Sequence, residues 1–139
     1  MYIEAGILLN ALLLGVMASF VVVTSPSVFK TLDEEHSRSF LRFIFPRLFK
    51  FCFLISTLMS LFFALAEFSY GLVAGSAIAI SFLINTYLLT PRINKMRDLM
   101  LAGQSEAEEM FKKLHFASVL LYLFSMVFVA SIFVTYYSR

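Results

Sequence analysis

The chain has 139 residues, of which 60% are hydrophobic and 14% charged, whereas soluble domains average about 45–50% and about 25%. This composition argues against a water-soluble globule, the single cysteine excludes a disulfide framework, and a net charge of +2 without a basic cluster argues against nucleic-acid binding. Four stretches lack Asp, Glu, Lys and Arg: residues 5–29, 51–66, 68–91 and 114–138. Because about 20 apolar residues cross a bilayer as a helix, we predict one all-α integral membrane domain, residues 1–139, built as a four-helix transmembrane bundle.

The first predicted span covers residues 6–23, and Pro26 is expected to break or kink the helix because it lacks a backbone N–H donor. A Thr-x-x-Glu sequence at residues 31–34 has the form of a capping box and predicts a new helix there. This helix is amphipathic and is expected to lie at the membrane interface until Pro46 ends it. Segment 24–46 is therefore predicted to be cytoplasmic.

The second and third spans are predicted at residues 47–67 and 71–90, joined by a turn so short that they must be antiparallel neighbours. Span three opens with Gly71 and Gly75, extended by Ala79, so one helix face carries almost no side chain. Such a face allows close approach of another helix. The contact can lie inside the bundle or between protomers, and the second case predicts a homo-oligomer or a larger membrane complex.

A cytoplasmic stalk is predicted over residues 91–114, because apolar residues continue at helical spacing after span three. Gly103 suits a left-handed helix end, and residues 105–108 have the form of a second capping box. The last helix then runs into span four, residues 115–136. The result is a helical hairpin that stands outside the membrane.

Basic residues predict the orientation. Ten of the eleven Lys and Arg lie in segments 30–50 and 92–113, on one side of a four-span bundle. The excess of basic residues in cytoplasmic loops places these segments in the cytoplasm and both termini outside, as expected for a bacterial inner-membrane protein. Tyrosines gather at the opposite rim, where interfacial rings are favoured: Tyr2, Tyr70, Tyr136 and Tyr137.

Polar residues from all four spans are expected at one level near the cytoplasmic ends. They are Ser25, Ser27, Arg47, Asn85, Thr90, Arg92, His115 and Ser118. Together they would form a pocket for a small anionic ligand, with the arginines as cations and the other groups as hydrogen-bond partners. The competing interpretation is structural: Asn85 and His115 would bond to neighbouring helices, and the arginines would anchor the chain at headgroups.

Four short motifs occur in order along the chain. They are Ser-Pro-Ser-Val-Phe-Lys at 25–30, Phe-Pro-Arg-Leu-Phe at 45–49, Asn-Thr-Tyr-Leu-Leu-Thr-Pro-Arg-Ile-Asn at 85–94, and Phe-x-x-Leu-His-x-x-Ser at 111–118. Together they resemble the transmembrane protein 205-like family of small multi-span membrane proteins, whose bacterial members form a domain of unknown function. The resemblance implies a four-helix membrane fold and brings no established reaction.

Enzyme motifs are missing: the chain has no Gly-rich phosphate loop, His-Glu-x-x-His, Ser-His-Asp set or Cys-x-x-Cys. We therefore predict non-enzymatic small-molecule binding, transport or an accessory role in the lipid bilayer. A haem-dependent membrane oxidoreductase is the alternative, because the four-span layout is similar to that of haem-binding protoporphyrinogen oxidases. His115 would then be an axial ligand, opposite Met17, Met59, Met126 or a partner chain's histidine. A third alternative is an interaction protein that docks through the stalk.

Overall fold

The computed structural model describes all residues 1–139 and contains four long helices and no strand. Helix α1 covers Tyr2–Thr31, α2 covers Glu34–Leu65, α3 covers Ser69–Leu101 and α4 covers Ala107–Tyr137. Each helix is long and apolar enough to cross a membrane. The predicted all-α architecture with four spans is confirmed.

Helices α1 and α3 each contain one π turn, a local widening of the helix. Helix α1 consists of Tyr2–Ser19, the π turn Phe20–Thr24 and Ser25–Thr31, and α3 consists of Ser69–Ile84, the π turn Asn85–Leu89 and Thr90–Leu101. A proline follows each π turn by two residues, at Pro26 and Pro91. Because a proline ring crowds the carbonyl four residues earlier, the wider turn lets the chain remain helical past the proline.

Of the two outcomes expected at Pro26, the break is wrong, and the helix end expected at Pro46 is wrong as well. The chain stays helical from Tyr2 to Thr31, and Pro46 lies inside the continuous helix α2. The amphipathic segment is consequently the first part of α2 and not a separate interfacial helix. In an apolar environment, a broken helix would leave several backbone groups without partners, whereas a proline inside a helix leaves only one carbonyl to satisfy.

The start of α2 is capped by a different residue from the one expected. Asp33 is the N-cap, and its carboxylate accepts the His36 backbone N–H at 2.9 Å. This hydrogen bond lowers the pKa of Asp33. Thr31 does not form the predicted capping box, since its hydroxyl donates to the Ser27 carbonyl at 2.6 Å. The short Asp side chain can accept from the third residue after it, as N-cap residues commonly do.

The helical hairpin formed by the ends of α3 and α4 is present. Gly103 adopts φ +89°, which confirms the predicted left-handed helix end. Exposed ion pairs join Glu108 to Lys112 and Glu109 to Lys113, one helical turn apart. The second capping box is wrong, because α4 begins after Glu106 without any side-chain cap.

The four antiparallel helices give the bundle two ends. We call the basic end the one that carries the connections at residues 32–33 and 102–106, and the terminal end the one that carries both chain termini and the turn at 66–68. Near the terminal end, the Tyr70 hydroxyl donates to Ser131 at 2.7 Å, which joins α3 to α4.

Glycines allow the closest helix contacts, toward the terminal end. An added Cβ on Gly75 would lie 2.5 Å from Ser60 Oγ, and one on Gly71 would lie 2.7 Å from the ring of Phe63. The glycine face of α3 therefore packs against α2 inside the bundle, the first of the two contacts expected from the sequence. The apolar core beside it includes the fully buried Phe63, Phe68, Ile78, Val129 and Ile132.

Candidate functional site

A cavity of about 480 Å³ lies between the four helices toward the basic end. Small-molecule sites commonly occupy roughly 300–1,000 Å³. Residues from every helix line it, including Phe20, Ser25, Phe29, Leu41, Arg42, Phe45, Phe49, Thr90, Ile93, Asn94, Arg97, Phe111, His115, Ser118, Val119, Tyr122 and Leu123. Four of the eight predicted site residues are in this lining: Ser25, Thr90, His115 and Ser118.

Prolines occur next to the cavity in three of the four helices. The residue immediately before each proline lines the cavity: Ser25 before Pro26, Phe45 before Pro46, and Thr90 before Pro91. Each proline removes one intrahelical hydrogen bond and disfavours tight packing of the turn before it. The cavity therefore lies at the level where three helices are locally irregular.

Aromatic side chains form the inner wall of the cavity. The ring centroids of Phe20 and Phe45 are 5.2 Å apart, those of Phe45 and Phe49 are 5.4 Å apart, and those of Phe49 and Tyr122 are 6.3 Å apart. The Tyr122 hydroxyl donates to the Met17 carbonyl at 2.9 Å, just before the π turn of α1. This bond joins α4 to α1 at the inner limit of the cavity.

Asn85 and Ser118 connect α3 to α4 beside the cavity. The Ser118 hydroxyl donates to Asn85 Oδ1 at 2.6 Å, and Asn85 Nδ2 donates to the Ser118 carbonyl at 3.4 Å. Asn85 is only 1% exposed and does not line the cavity. Its geometry is that of an interhelical bond, so Asn85 supports the wall, whereas Ser118 also reaches the lining.

Arg97, Phe111 and His115 lie together on one side of the cavity. The Phe111 and His115 rings are parallel, with centroids 5.8 Å apart, and the guanidinium carbon of Arg97 lies 4.9 Å from the centre of the Phe111 ring. Arg97 is partly buried, whereas His115 is also exposed at the surface. None of the six ion pairs of the chain includes Arg97.

A second arginine of the lining is already paired. Arg42 on α2 makes a two-pronged contact with Asp98 on α3, with distances of 2.6 and 3.0 Å. Arg38 is likewise paired with Glu34 at 2.6 Å. Arg38 and Arg42 are like charges close to Arg97, and the neighbouring Asp98 is engaged with Arg42. Arg97 is thus the cation at this site whose charge has no direct partner.

The other predicted site residues lie outside the cavity. Arg47 and Arg92 are exposed, and Arg47 packs over the Phe43 ring at 3.4 Å while donating to the Phe43 carbonyl. Ser27 is exposed and donates to the carbonyl of Val23. The anchoring alternative therefore fits Arg47 better than the ligand-binding one does.

Sequence reasoning missed Arg42 and Arg97. Helical spacing carries the signal for Arg97, because Thr90, Ile93 and Arg97 follow at intervals of three and four and so share one face. Arg92, two residues after Thr90, falls on a different face. The same periodicity, continued from Thr90, predicts that Arg97 and not Arg92 faces the cavity.

The haem alternative lacks its second ligand in this arrangement. His115 lines the cavity, but Met17, Met59 and Met126 do not. No group of three or more His, Cys, Asp or Glu is placed to hold a metal ion. A bis-histidine site would require His115 from a partner chain, and nothing in this fold favours that arrangement over ligand binding beside Arg97.

The cavity opens sideways between α1 and α4. In the terminal half these helices are in contact, and Asn10 Nδ2 donates to the Val129 carbonyl at 2.9 Å. From Phe20 to Thr31, however, no Cα atom of α1 lies within 8 Å of a Cα atom of α4. The exposed side chains of Val21 and Val119 line the cavity on the two sides of this gap.

A family model described as Domain of unknown function (DUF4149) matches residues 8–102 of the chain. No curated protein and no solved structure matches the chain. The expected domain of unknown function is therefore confirmed, whereas the name transmembrane protein 205-like has no support in these comparisons. The matched region includes α1 from residue 8 onward and all of α2 and α3, and hence Arg42, Thr90 and Arg97 of the cavity.

Proposed function

The chain belongs to the DUF4149 family, whose description assigns no activity, and we propose that it is a non-enzymatic membrane protein that binds a small anionic molecule in the cavity at its basic end. Binding would serve uptake, transfer or an accessory role in a membrane complex. Arg97 and His115 are the principal contacts, with Ser25, Thr90 and Ser118 as hydrogen-bonding groups.

The main support for this proposal is that Arg97 is partly buried and carries an unpaired charge. Its guanidinium is partly buried in the lining of a ligand-sized cavity and has no acidic partner. A partly buried charge is costly unless it is paired. A carboxylate or phosphate in the cavity would supply the missing partner, in the two-pronged geometry that arginine favours.

We also propose that the basic end faces the cytoplasm and both termini face outward, in a bacterial inner membrane. The support is the concentration of Lys and Arg in segments 30–50 and 92–113. Under this orientation the cavity lies at the cytoplasmic leaflet. The segments 24–46 and 91–114 would then stand at or beyond the headgroups.

Anion binding is tested by the thermal stability of the purified protein in an uncharged detergent, with and without inorganic phosphate or acetate. A ligand that binds only the folded state raises the melting temperature. We expect a rise for the wild type and for Arg92→Gln, and none for Arg97→Gln. The two variants remove the same charge from the same helix, so general electrostatic effects are matched.

His115→Gln provides a second test, because glutamine retains a donor and an acceptor. We expect this variant to fold like the wild type and to show a smaller phosphate-induced rise. Equal responses of Arg97→Gln and Arg92→Gln would show that the anion binds the basic surface generally, and the proposal would then be wrong.

A further inference from the structure

We infer that the ligand is a single-chain amphiphile with a carboxylate or phosphate head, which enters the cavity from the bilayer through the gap between α1 and α4. This inference rests on the proposed anion site and adds the apolar chain and the lateral route. The structure brings together three features that a free inorganic anion would not need.

The first feature is the division of the cavity along its depth. The polar side chains of Asn94, Arg97 and His115 lie toward the basic end among apolar residues of the lining, and the lining toward the bilayer centre is mainly apolar, with Phe49 and Leu123. His115 and Leu123 are eight residues apart on α4, which corresponds to about 12 Å at 1.5 Å per residue. A small anion would occupy only the polar end, whereas an attached apolar chain would fill the rest.

The second feature is the direction of the opening. The gap between α1 and α4 faces the surroundings of the bundle and is bordered by the exposed apolar side chains of Val21 and Val119. These side chains favour hydrocarbon over water. A molecule already dissolved in the bilayer can therefore enter without carrying its chain through water.

The third feature is charge complementarity at the level of the headgroups. The nearby acids are already engaged, Asp98 by Arg42 and Glu34 by Arg38. Arg97 is left as the unpaired cation above an apolar cavity. This order, cation outward and apolar wall inward, matches the order of head and chain in an anionic amphiphile embedded in a leaflet.

The experiment uses the full-length protein in phosphatidylcholine nanodiscs and a photoreactive 12-carbon fatty acid whose diazirine lies in the chain. Crosslinked residues are mapped by mass spectrometry. We expect labelling to concentrate on residues 20–21 and 119–123, and to fall about tenfold or more in Arg97→Gln, since a charge-assisted hydrogen bond is worth about that factor. Arg92→Gln should label like the wild type.

A cavity-filling variant and its matched control test the apolar part of the cavity without changing Arg97. Val119 lines the cavity, whereas Val127 is an exposed residue of the same helix outside it. We expect Val119→Phe to reduce labelling of residues 119–123 and Val127→Phe to leave it unchanged. Unlabelled dodecyl phosphate should compete with the probe, and inorganic phosphate at the same concentration should not.

The outcomes separate this inference from the proposed function. Even labelling of all lipid-facing helices, or equal labelling by the uncharged methyl ester of the probe, would show that the cavity does not bind an anionic amphiphile. If phosphate still stabilises the wild type but not Arg97→Gln, the anion site stands and only the amphiphile is wrong. If neither phosphate nor the fatty acid depends on Arg97, both are wrong.

Discussion

The terminal and basic halves of this bundle use the same four helices in opposite ways. In the terminal half, Gly71 and Gly75 bring α3 against α2, and Asn10 binds the backbone of α4. In the basic half, a π turn or a proline interrupts the regular helix in α1, α2 and α3, and α1 separates from α4. Small residues thus allow close helix packing in the terminal half, whereas prolines and aromatic rings surround a cavity in the basic half.

Under the proposed function, this difference separates stability from binding within one short chain. Close backbone approach maximises dispersion contacts where lipid offers no hydrophobic drive for helix association. A site for a ligand needs the reverse, a gap whose walls are held apart by rigid side chains and whose polar groups are only partly satisfied. The tight half holds the helices in place, and the open half leaves the space that the proposed ligand would occupy.

The largest expected effect concerns the sidedness of the two ends. In a Cys52→Ser background, Gln104→Cys lies at the basic end and Ser138→Cys at the terminal end, both exposed. An impermeant maleimide should label Ser138→Cys in intact cells and label Gln104→Cys only after the membrane is opened. Labelling of both positions from the same side would contradict the four-span arrangement.

The next effect concerns the tight half. Gly75→Leu would force a side chain into Ser60 and Met59 and should cost about 1–3 kcal/mol or more, as overpacking does. Gly15→Leu is the matched control, because nothing lies within 4 Å of a Cβ added at Gly15. We expect a clear fall in melting temperature only for Gly75→Leu. Equal melting curves would mean that the glycine face is not a tight contact.

A smaller effect is expected where the two halves meet. Ser118→Ala removes the bond to Asn85 Oδ1 and should cost about 1 kcal/mol, as interhelical polar contacts in membranes do. Ser81→Ala removes only a bond to the Ala77 carbonyl of its own helix and should cost less. Thermal unfolding in detergent compares the two. If Ser81→Ala lowered the thermal stability as much as Ser118→Ala, the bond between Ser118 and Asn85 would have no special stabilising role.

The smallest effect is expected at the ion pair between α2 and α3 near the basic end. The Arg42 and Asp98 side chains are 48% and 54% exposed, so solvent screens their ion pair. Asp98→Asn should therefore leave the melting temperature nearly unchanged in moderate salt. A large loss of stability would show that this pair holds α2 against α3, which would place part of the structural stability in the open half.

The four helices could be predicted from the sequence because their signal is long. Uncharged runs about as long as a bilayer is thick leave little choice of structure. The rule for soluble helices, in which water replaces a lost partner, predicts a helix end at Pro46 and allows a break at Pro26. Both helices instead remain continuous past their prolines, because in lipid the backbone keeps its internal hydrogen bonds.

For the residues of the proposed site, depth along the helices could be predicted, but the side of each helix could not. Ser25, Thr90, His115 and Ser118 do meet at one cavity, as their positions near the span ends suggested. Helices that are apolar on every face give no amphipathic stripe from which to read their rotation. Depth alone therefore predicts Arg47 and Arg92 rather than Arg42 and Arg97.

The most direct test of the open half is an experimental structure of the protein determined in phospholipid. We predict an elongated non-protein density between α1 and α4, with its polar end at Arg97 and its apolar end beside Phe49. The contradicting result is contact between α1 and α4 at Val21 and Val119, with no cavity and with His115 turned toward the headgroups. In that case the basic half would be as closed as the terminal half.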